Sequence, residues 1–374
     1  MPQDRADEVR TLAAQPVNWD ELFLIAAEHS LASLLELQLH AIVPDALGPS
    51  RSERWKDERR ANAVQCLRLT AGLIETLAEF RLRSIPAIPY KGPVLAAQAY
   101  GDVALREFDD LDIVVRQRDM ENAHRAMRAL GFRPKFASEL SPGPAAPLIP
   151  GEYKYHDEAR DVIVELHTEL TMRHFPVVPG LDAFFERRTP VVLSGHEVRT
   201  FSPEDALLAL SVHGAKDFWS RLSWIADISE LIQSHALIDW DAVLRRAESL
   251  RAQRMVRLAL WLAASLLGAP LPQEVVSLLR KDPIAKKVAM EIGRRLLTRR
   301  PCPAHAFSRF RFRLRMLPGV VAPWRYAGRL AVAPAEDWLA VRLPKPLAPF
   351  HALLRPLRLT QKLRKVRRHE ADSR

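Results

Sequence analysis

The stretch Tyr90–Val115, YKGPVLAAQAYGDVALREFDDLDIVV, decides how the chain is to be read. It begins with a Lys-Gly-Pro turn after an apolar segment and ends with Asp109-Asp110-Leu111-Asp112 running into Ile113-Val114-Val115. Three β-branched residues in succession favour a buried strand. Side chains alternate faces along a strand, so Asp110 and Asp112 point one way while Leu111, Ile113 and Val115 point to the other, apolar side. Asp109 is expected just before the strand. Like charges held side by side repel, and they are best tolerated with a cation between them. The pair therefore reads as a cradle for a hard divalent cation, Mg²⁺ or Mn²⁺, which prefers carboxylate oxygens and shares its remaining positions with water and phosphate.

Working outward, SIPAIPY before the turn is a short strand that Pro86 and Pro89 place near a sheet edge. Pro93 suits the first turn of the helical PVLAAQAYG. RDMENAHRAMRALGF reads as a helix that opens on acids and closes on Gly131. EYKYH and DVIVELHTEL read as a hairpin joined by DEAR. In the second of these strands Ile163, Glu165 and His167 share a face opposite Val162, Val164 and Leu166, so Glu165 supplies a third carboxylate. A solvent-facing end of an antiparallel sheet is the plainer reading for Glu165.

Upstream, Trp19 to about Leu39 has helical spacing, and a long helix is expected from near Ser52 to Arg83. Downstream, Ser202 and Pro203 have the character of a cap and a first helical residue, and the periodicity to about Arg300 is helical. The expected organisation is thus an N-terminal helical layer (1–83), an α/β core (84–201), a helical domain (202–300) and a basic Pro/Arg-rich segment (301–374). The fold class is α+β. SPGPAAPLIPG, from Ser141, reads as a long connection beside the site.

At 374 residues, with 48% apolar and 27% charged residues, the chain is long enough for two domains and too apolar for global disorder. The two cysteines, Cys66 and Cys302, form neither a metal-ligand pair nor a disulfide framework. The run Leu258–Leu271 is too short to span a bilayer, and the first residues have no apolar signal core, so a cytoplasmic location is expected. The net charge of +10 is concentrated toward the C-terminus. There Arg355, Arg358, Lys362 and Lys365 recur at helical spacing, a pattern suited to an anionic surface, whether lipid or nucleic acid, or to a solvated helix.

Four motifs in order carry a resemblance: Lys91-Gly92; Arg106 with Asp110 and Asp112; Glu165-Leu166-His167; and HGAKDFW, His213–Trp219, continued by LSWIADISELI and IDW. Together they resemble an uncharacterised bacterial nucleotidyltransferase family within the DNA polymerase β-like superfamily, over roughly Trp19 to Trp240. The resemblance implies a small mixed sheet, a nucleoside triphosphate as substrate, and Asp110, Asp112 and Glu165 as catalytic metal ligands. It also implies phosphate contacts from Lys91, Gly92, Arg106, His213 and Lys216, with His167 supporting the acids.

Three departures accompany it. Gly92-Pro93 replaces the superfamily's Gly-Ser turn, and Pro93 has no N–H to offer a phosphate, which shifts that work to Lys91 or Arg106. The spacing from Gly92 to Asp110 is longer than the common form, and Asp217 stands where the narrower family often has a second His. The residues keep plainer readings open: Lys91 and Lys216 as solvated side chains, Arg106 as a partner of Asp109 or Asp110, His167 and both Trp219 and Trp224 as core. Asp227 is read as structural, paired with Arg221 or Lys216. The function expected is transfer of a nucleoside monophosphate to a hydroxyl of an unknown acceptor (small molecule, peptide, protein or RNA). The alternatives are a nucleotide- or partner-binding protein without turnover, and nucleic-acid binding through the basic C-terminal segment.

Overall fold

The computed structural model describes residues 3–134, 151–169, 181–299 and 306–317. The expected connection at 141–151, apart from Gly151, and nearly all of the segment from 301 onward, including the basic repeat, lie outside them. Four helices come first: α1 (Gln3–Ala13), α2 (Trp19–Glu28), α3 (Ala32–Ile42) and α4 (Pro49–Leu82). The single helix expected from Trp19 to Leu39 is two, because Ser30 adopts a left-handed φ of 54° and turns the chain. Helix α2 is capped by Asn18, whose side chain accepts from the Glu21 N–H.

The sheet then begins with β1 (Ala87–Pro89), followed by the short α5 (Gly92–Leu95), which runs into a π-helical turn at Ala96–Tyr100. Gly101, at φ 73°, ends that turn in a conformation only glycine adopts at little cost. Next come β2 (Leu111–Val115), α6 (Met120–Ala129), β3 (Arg133–Pro134), β4 (Glu152–Asp157) and β5 (Val162–His167). The spatial order is β1-β2-β5-β4-β3, with β2 and β5 parallel and every other pair antiparallel.

A short α7 (Asp182–Glu186) leads to a hairpin that the periodicity did not reveal, β6 (Thr189–Leu193) and β7 (His196–Thr200). Its two-residue turn, Ser194-Gly195, has positive φ at both positions. Beyond it lie α8 (Pro203–Lys216), α9 (Leu222–Ser234), α10 (Trp240–Ser249), α11 (Gln253–Leu267), α12 (Gln273–Arg280), α13 (Pro283–Leu297) and α14 (Ala306–Met316). Ser202 accepts from the Asp205 N–H, and Pro203 fills the first turn of α8.

The two faces of the sheet meet different partners. Leu111, Ile113, Val115, Val164 and Leu166 share one apolar cluster with Leu69, Leu73 and Phe80 of α4 and Met127 of α6. Ile88 and Val114, on the opposite face, join a cluster built largely from α8, α9 and α11. That second face also carries the acids, which places them between the sheet and the helices. No helix among the described residues is long and apolar enough to cross a membrane.

Candidate functional site

In the parallel pairing of β2 with β5, Asp112 lies opposite Glu165; in the antiparallel pairing of β5 with β4, Glu165 lies opposite Lys154. Directly paired residues on adjacent strands project to the same side. Asp112, Glu165 and Lys154 therefore form a row across three strands, and His167, two residues beyond Glu165, joins them on that face. Asp112, Glu165 and His167 are all buried. Among the described residues these three offer one donor atom each within 4.8 Å of one another. Asp110 stands at the entrance of β2, half-buried and outside that close group, while Asp109 is exposed ahead of the strand.

Cations already touch two of the acids. Lys91 Nζ donates to Asp112 Oδ1 at 2.8 Å, and Lys154 donates to Glu165. Burial alone would push the Asp112 carboxyl up, but the Lys91 ammonium and the His167 contact more than reverse it and hold it well below the usual carboxylate range. Asp110 makes no such contact among the described residues: burial, then repulsion from Asp112 and Glu165, outweighs the more distant Lys91 and Lys154 and pushes its carboxyl up to about 6. Lys216 reaches toward Glu152 at 4.0 Å and Asp217 at 3.5 Å.

Gly92 has its own local reason. Its φ is 52°, and a Cβ there would lie 3.3 Å from the Asp110 carbonyl oxygen. Glycine thus lets the turn after β1 press against the mouth of β2, which sets Lys91 beside Asp112. His167 Nε2 lies 2.8 Å from Asp112 Oδ1 and 3.8 Å from Glu165 Oε2. The Tyr90 ring meets the His167 ring edge-on, with centroids 5.6 Å apart.

Two expected pairings are corrected. Arg106 meets neither Asp109 nor Asp110; its Nε and Nη2 donate to Asp227 at 2.8 and 3.0 Å, a bidentate buried pair that Tyr100 Oη completes with a third bond of 2.9 Å. Asp227 correspondingly pairs with neither Arg221 nor Lys216. The lysines, not Arg106, are the cations in contact with the acids of the site.

HGAKDFW brings Lys216 and His213 toward the site and sends Trp219 into the helical core. Trp219 is fully buried, and a Cβ on Gly214 would come within 2.7 Å of its ring, so the glycine makes room for the indole. Phe218 and Trp219 both have positive φ, and the Trp219 N–H donates to the Gly214 carbonyl at 2.8 Å. His213 sits half-buried, edge-on to Trp224. Burial, reinforced by Lys91 and Lys216, pushes its imidazole well below the ordinary histidine value and keeps it neutral at pH 7.

Lys154 and Glu152 were missed as site residues by the sequence reading. The signal that could have found them is the hairpin register, because a residue opposite Glu165 on β4 must share its face.

No curated protein matches the chain. Among solved structures, a crystal structure of ANT(2'')-Ia in complex with adenylyl-2''-tobramycin is 15% identical, with a TM-score of 0.34, covering 49% of this chain and 97% of that one. An antigenic nucleotidyltransferase-like protein from Paracoccidioides brasiliensis is 16% identical with a TM-score of 0.33, covering 59% and 92%. At this identity and overlap neither likeness decides anything about chemistry. The family described as "Uncharacterised nucleotidyltransferase", by contrast, matches residues 15–268, more than half of the chain and the whole span from α2 to the end of α11. Every acid and lysine of the site falls within that match, and the chain belongs to the uncharacterised nucleotidyltransferase family.

Proposed function

We propose that the chain moves a nucleoside monophosphate from a nucleoside triphosphate to an acceptor hydroxyl, with Mg²⁺ or Mn²⁺ as cofactor. The observation that carries this reading is the register of Asp112 with Glu165 on adjacent parallel strands, with Asp110 at the strand entrance. The donor set suits a divalent cation: hard carboxylate oxygens are gathered in a buried site, and the repulsion that raises Asp110 is what a cation would relieve. Asp112 and Glu165 would hold it, with Asp110 as a further carboxylate at the mouth. The cation would supply charge neutralisation of the triphosphate oxygens and of the leaving group.

The chain's own residues account for the remainder. Glu165 takes the proton of the acceptor hydroxyl; the acceptor oxygen bonds to the α-phosphorus as the bond to the bridging oxygen breaks, and pyrophosphate leaves. Lys154 and Lys216 offer point charges to phosphate oxygens, and Lys91 holds Asp112 ionised. Neutral His213 faces the site from the helical side. Arg106 positions the loop before β2 through Asp227 and is assigned no phosphate contact.

Binding without turnover is the second reading. The specific observation in its favour is that Lys91 and Lys154 already neutralise Asp112 and Glu165. Glu165→Gln separates the two. If the chain is an enzyme, the variant keeps its fold and still binds Mg²⁺-NTP, more weakly for the lost ligand charge, while label transfer from NTP falls by orders of magnitude, far more than binding does. Native protein that binds NTP yet transfers label to nothing in its own cell extract, with Glu165→Gln behaving identically, makes the binding reading the better one.

A further inference from the structure

We propose that His167 is itself a ligand of the divalent cation, and that the site accordingly takes Mn²⁺ in preference to Mg²⁺. This rests on the nucleotidyltransferase reading for the presence of a cation and on the geometry for its ligands.

The alternation of β5 sends the imidazole to the same side as Glu165, and the nitrogen that faces the acids is Nε2, the one farthest from the backbone. It lies 2.8 Å from an Asp112 oxygen and 3.8 Å from a Glu165 oxygen. Neighbouring ligands of one ion, each bonded at about 2.1 Å, are themselves roughly 3 to 4 Å apart according to the angle between them, so both separations from Nε2 are compatible with a single ion. Asp110, which sequence alone nominates as the partner of Asp112, is not part of this close group. The ring is also held: His167 is 4% exposed and Tyr90 packs edge-on against it.

A set of two carboxylates and one imidazole differs chemically from an all-oxygen cradle. Mg²⁺ dehydrates reluctantly and favours oxygen, whereas imidazole nitrogen suits first-row transition cations. Mn²⁺ is the choice among these because oxygen still dominates the set and a triphosphate must add more oxygens, and Mn²⁺ accepts that mixture at six-fold coordination. For His167 to serve, its Nε2 must be the unprotonated nitrogen, so the contact with Asp112 is exchanged for a bond to the ion.

Pulsed electron paramagnetic resonance on the native full chain with Mn²⁺ alone reads the ligand directly. The expected result is a ¹⁴N modulation from a directly bound nitrogen that becomes a ¹⁵N modulation when the protein is made with [¹⁵N]histidine. It should persist in His213→Gln, which removes the other imidazole facing the site among the described residues, and vanish in His167→Gln. In the same variant Mn²⁺ affinity, by titration calorimetry, should fall on the order of tenfold or more, with Mg²⁺ affinity changing less than about threefold. No nitrogen coupling in the native protein overturns the proposal, as does a His167→Gln variant that weakens both ions by one factor. The native spectrum decides even if the variant fails to fold. The outcome is separable from the parent reading: Mg²⁺-supported label transfer without nitrogen coupling defeats the ligand assignment alone, and nitrogen coupling without any transfer defeats catalysis alone.

Discussion

Replacing Asp110 by Asn is expected to make the metal-free protein more stable, not less. Burial and the neighbouring Asp112 and Glu165 raise the Asp110 carboxyl from the ordinary aspartate value of 3.8 to about 6. A carboxyl whose folded-state value lies above its unfolded one binds its proton more tightly in the native chain. Its charge therefore opposes folding above pH 6, and that cost fades as pH falls toward 3.8. A rise of that size, at about 1.36 kcal/mol per pH unit, gives roughly 3 kcal/mol as an upper figure. Relaxation of a half-buried group and partial retention of the burial cost by the amide bring the expectation to about 1–3 kcal/mol. With unfolding entropy of about 2.1 cal/mol/K per residue, that corresponds to a rise in Tm of about 1–4 °C. The assay is thermal unfolding of native and Asp110→Asn protein in EDTA from pH 5 to pH 8.5, where linkage makes the gain at pH 5 roughly half that at pH 8. Adding Mg²⁺ or Mn²⁺ should then favour the native chain, because binding to the folded state adds stability by mass action. An Asp110→Asn protein that melts lower than native at pH 8 without metal, or a difference that does not change with pH, would refute the argument that these acids repel.

Three further outcomes are expected. Arg106→Met should cost about 3–5 kcal/mol in urea unfolding, because it leaves Asp227 charged and buried, whereas Arg106→Met with Asp227→Leu should recover most of that loss. Gly92→Ala should cost about 1–2 kcal/mol for its left-handed backbone, measured in the same way, with Lys91 displaced from Asp112 and a weaker response of stability to added divalent cation. Burial pushes the Cys66 thiol up to about 12, so peptide mapping after iodoacetamide at pH 8 should find Cys66 unmodified in the native chain and modified in urea; equal labelling in both would show that the thiol is open.

What the sequence disclosed was governed by how local each signal is. The strand ending at Val115, its Asp110/Asp112 alternation, the Ser202 cap and the Gly131 stop all depend on neighbours within a turn or two. The strand, the cap and the stop are present in the structure, whereas β2 begins only at Leu111, so Asp110 stands ahead of the strand and not in alternation with Asp112. The site's lysine at 154 was hidden by a shift at the hairpin. Reading DEAR as the turn sets Lys154 opposite Ile163, whereas the actual turn at Glu158–Asp161 sets it opposite Glu165. A one-residue displacement of a turn moves cross-strand partners by two positions, and boundaries are where periodicity is least informative. The partner of Arg106 was beyond reach for another reason: 121 positions separate it from Asp227, and only the packing of α9 on the π-helical turn brings them together. Lys91 was legible as a cation at the turn expected to face phosphate. Its contact with Asp112 depends on the left-handed Gly92, and that conformation could not be read from Gly92-Pro93 alone.

The tie from Arg106 and Tyr100 to Asp227 bears on how the molecule can be dissected. A fragment ending near Ser202 would retain Asp110, Asp112, Glu165 and all the strands, and on paper would look like a complete catalytic piece. It would lack α9, however, and so expose an arginine whose burial depends on a carboxylate it no longer has, together with the face of Ile88 and Val114 that the later helices cover. The smallest portion able to fold around these acids must therefore run at least through Asp227, and any exchange of the helical half with that of another family member would have to bring an acid to that same place.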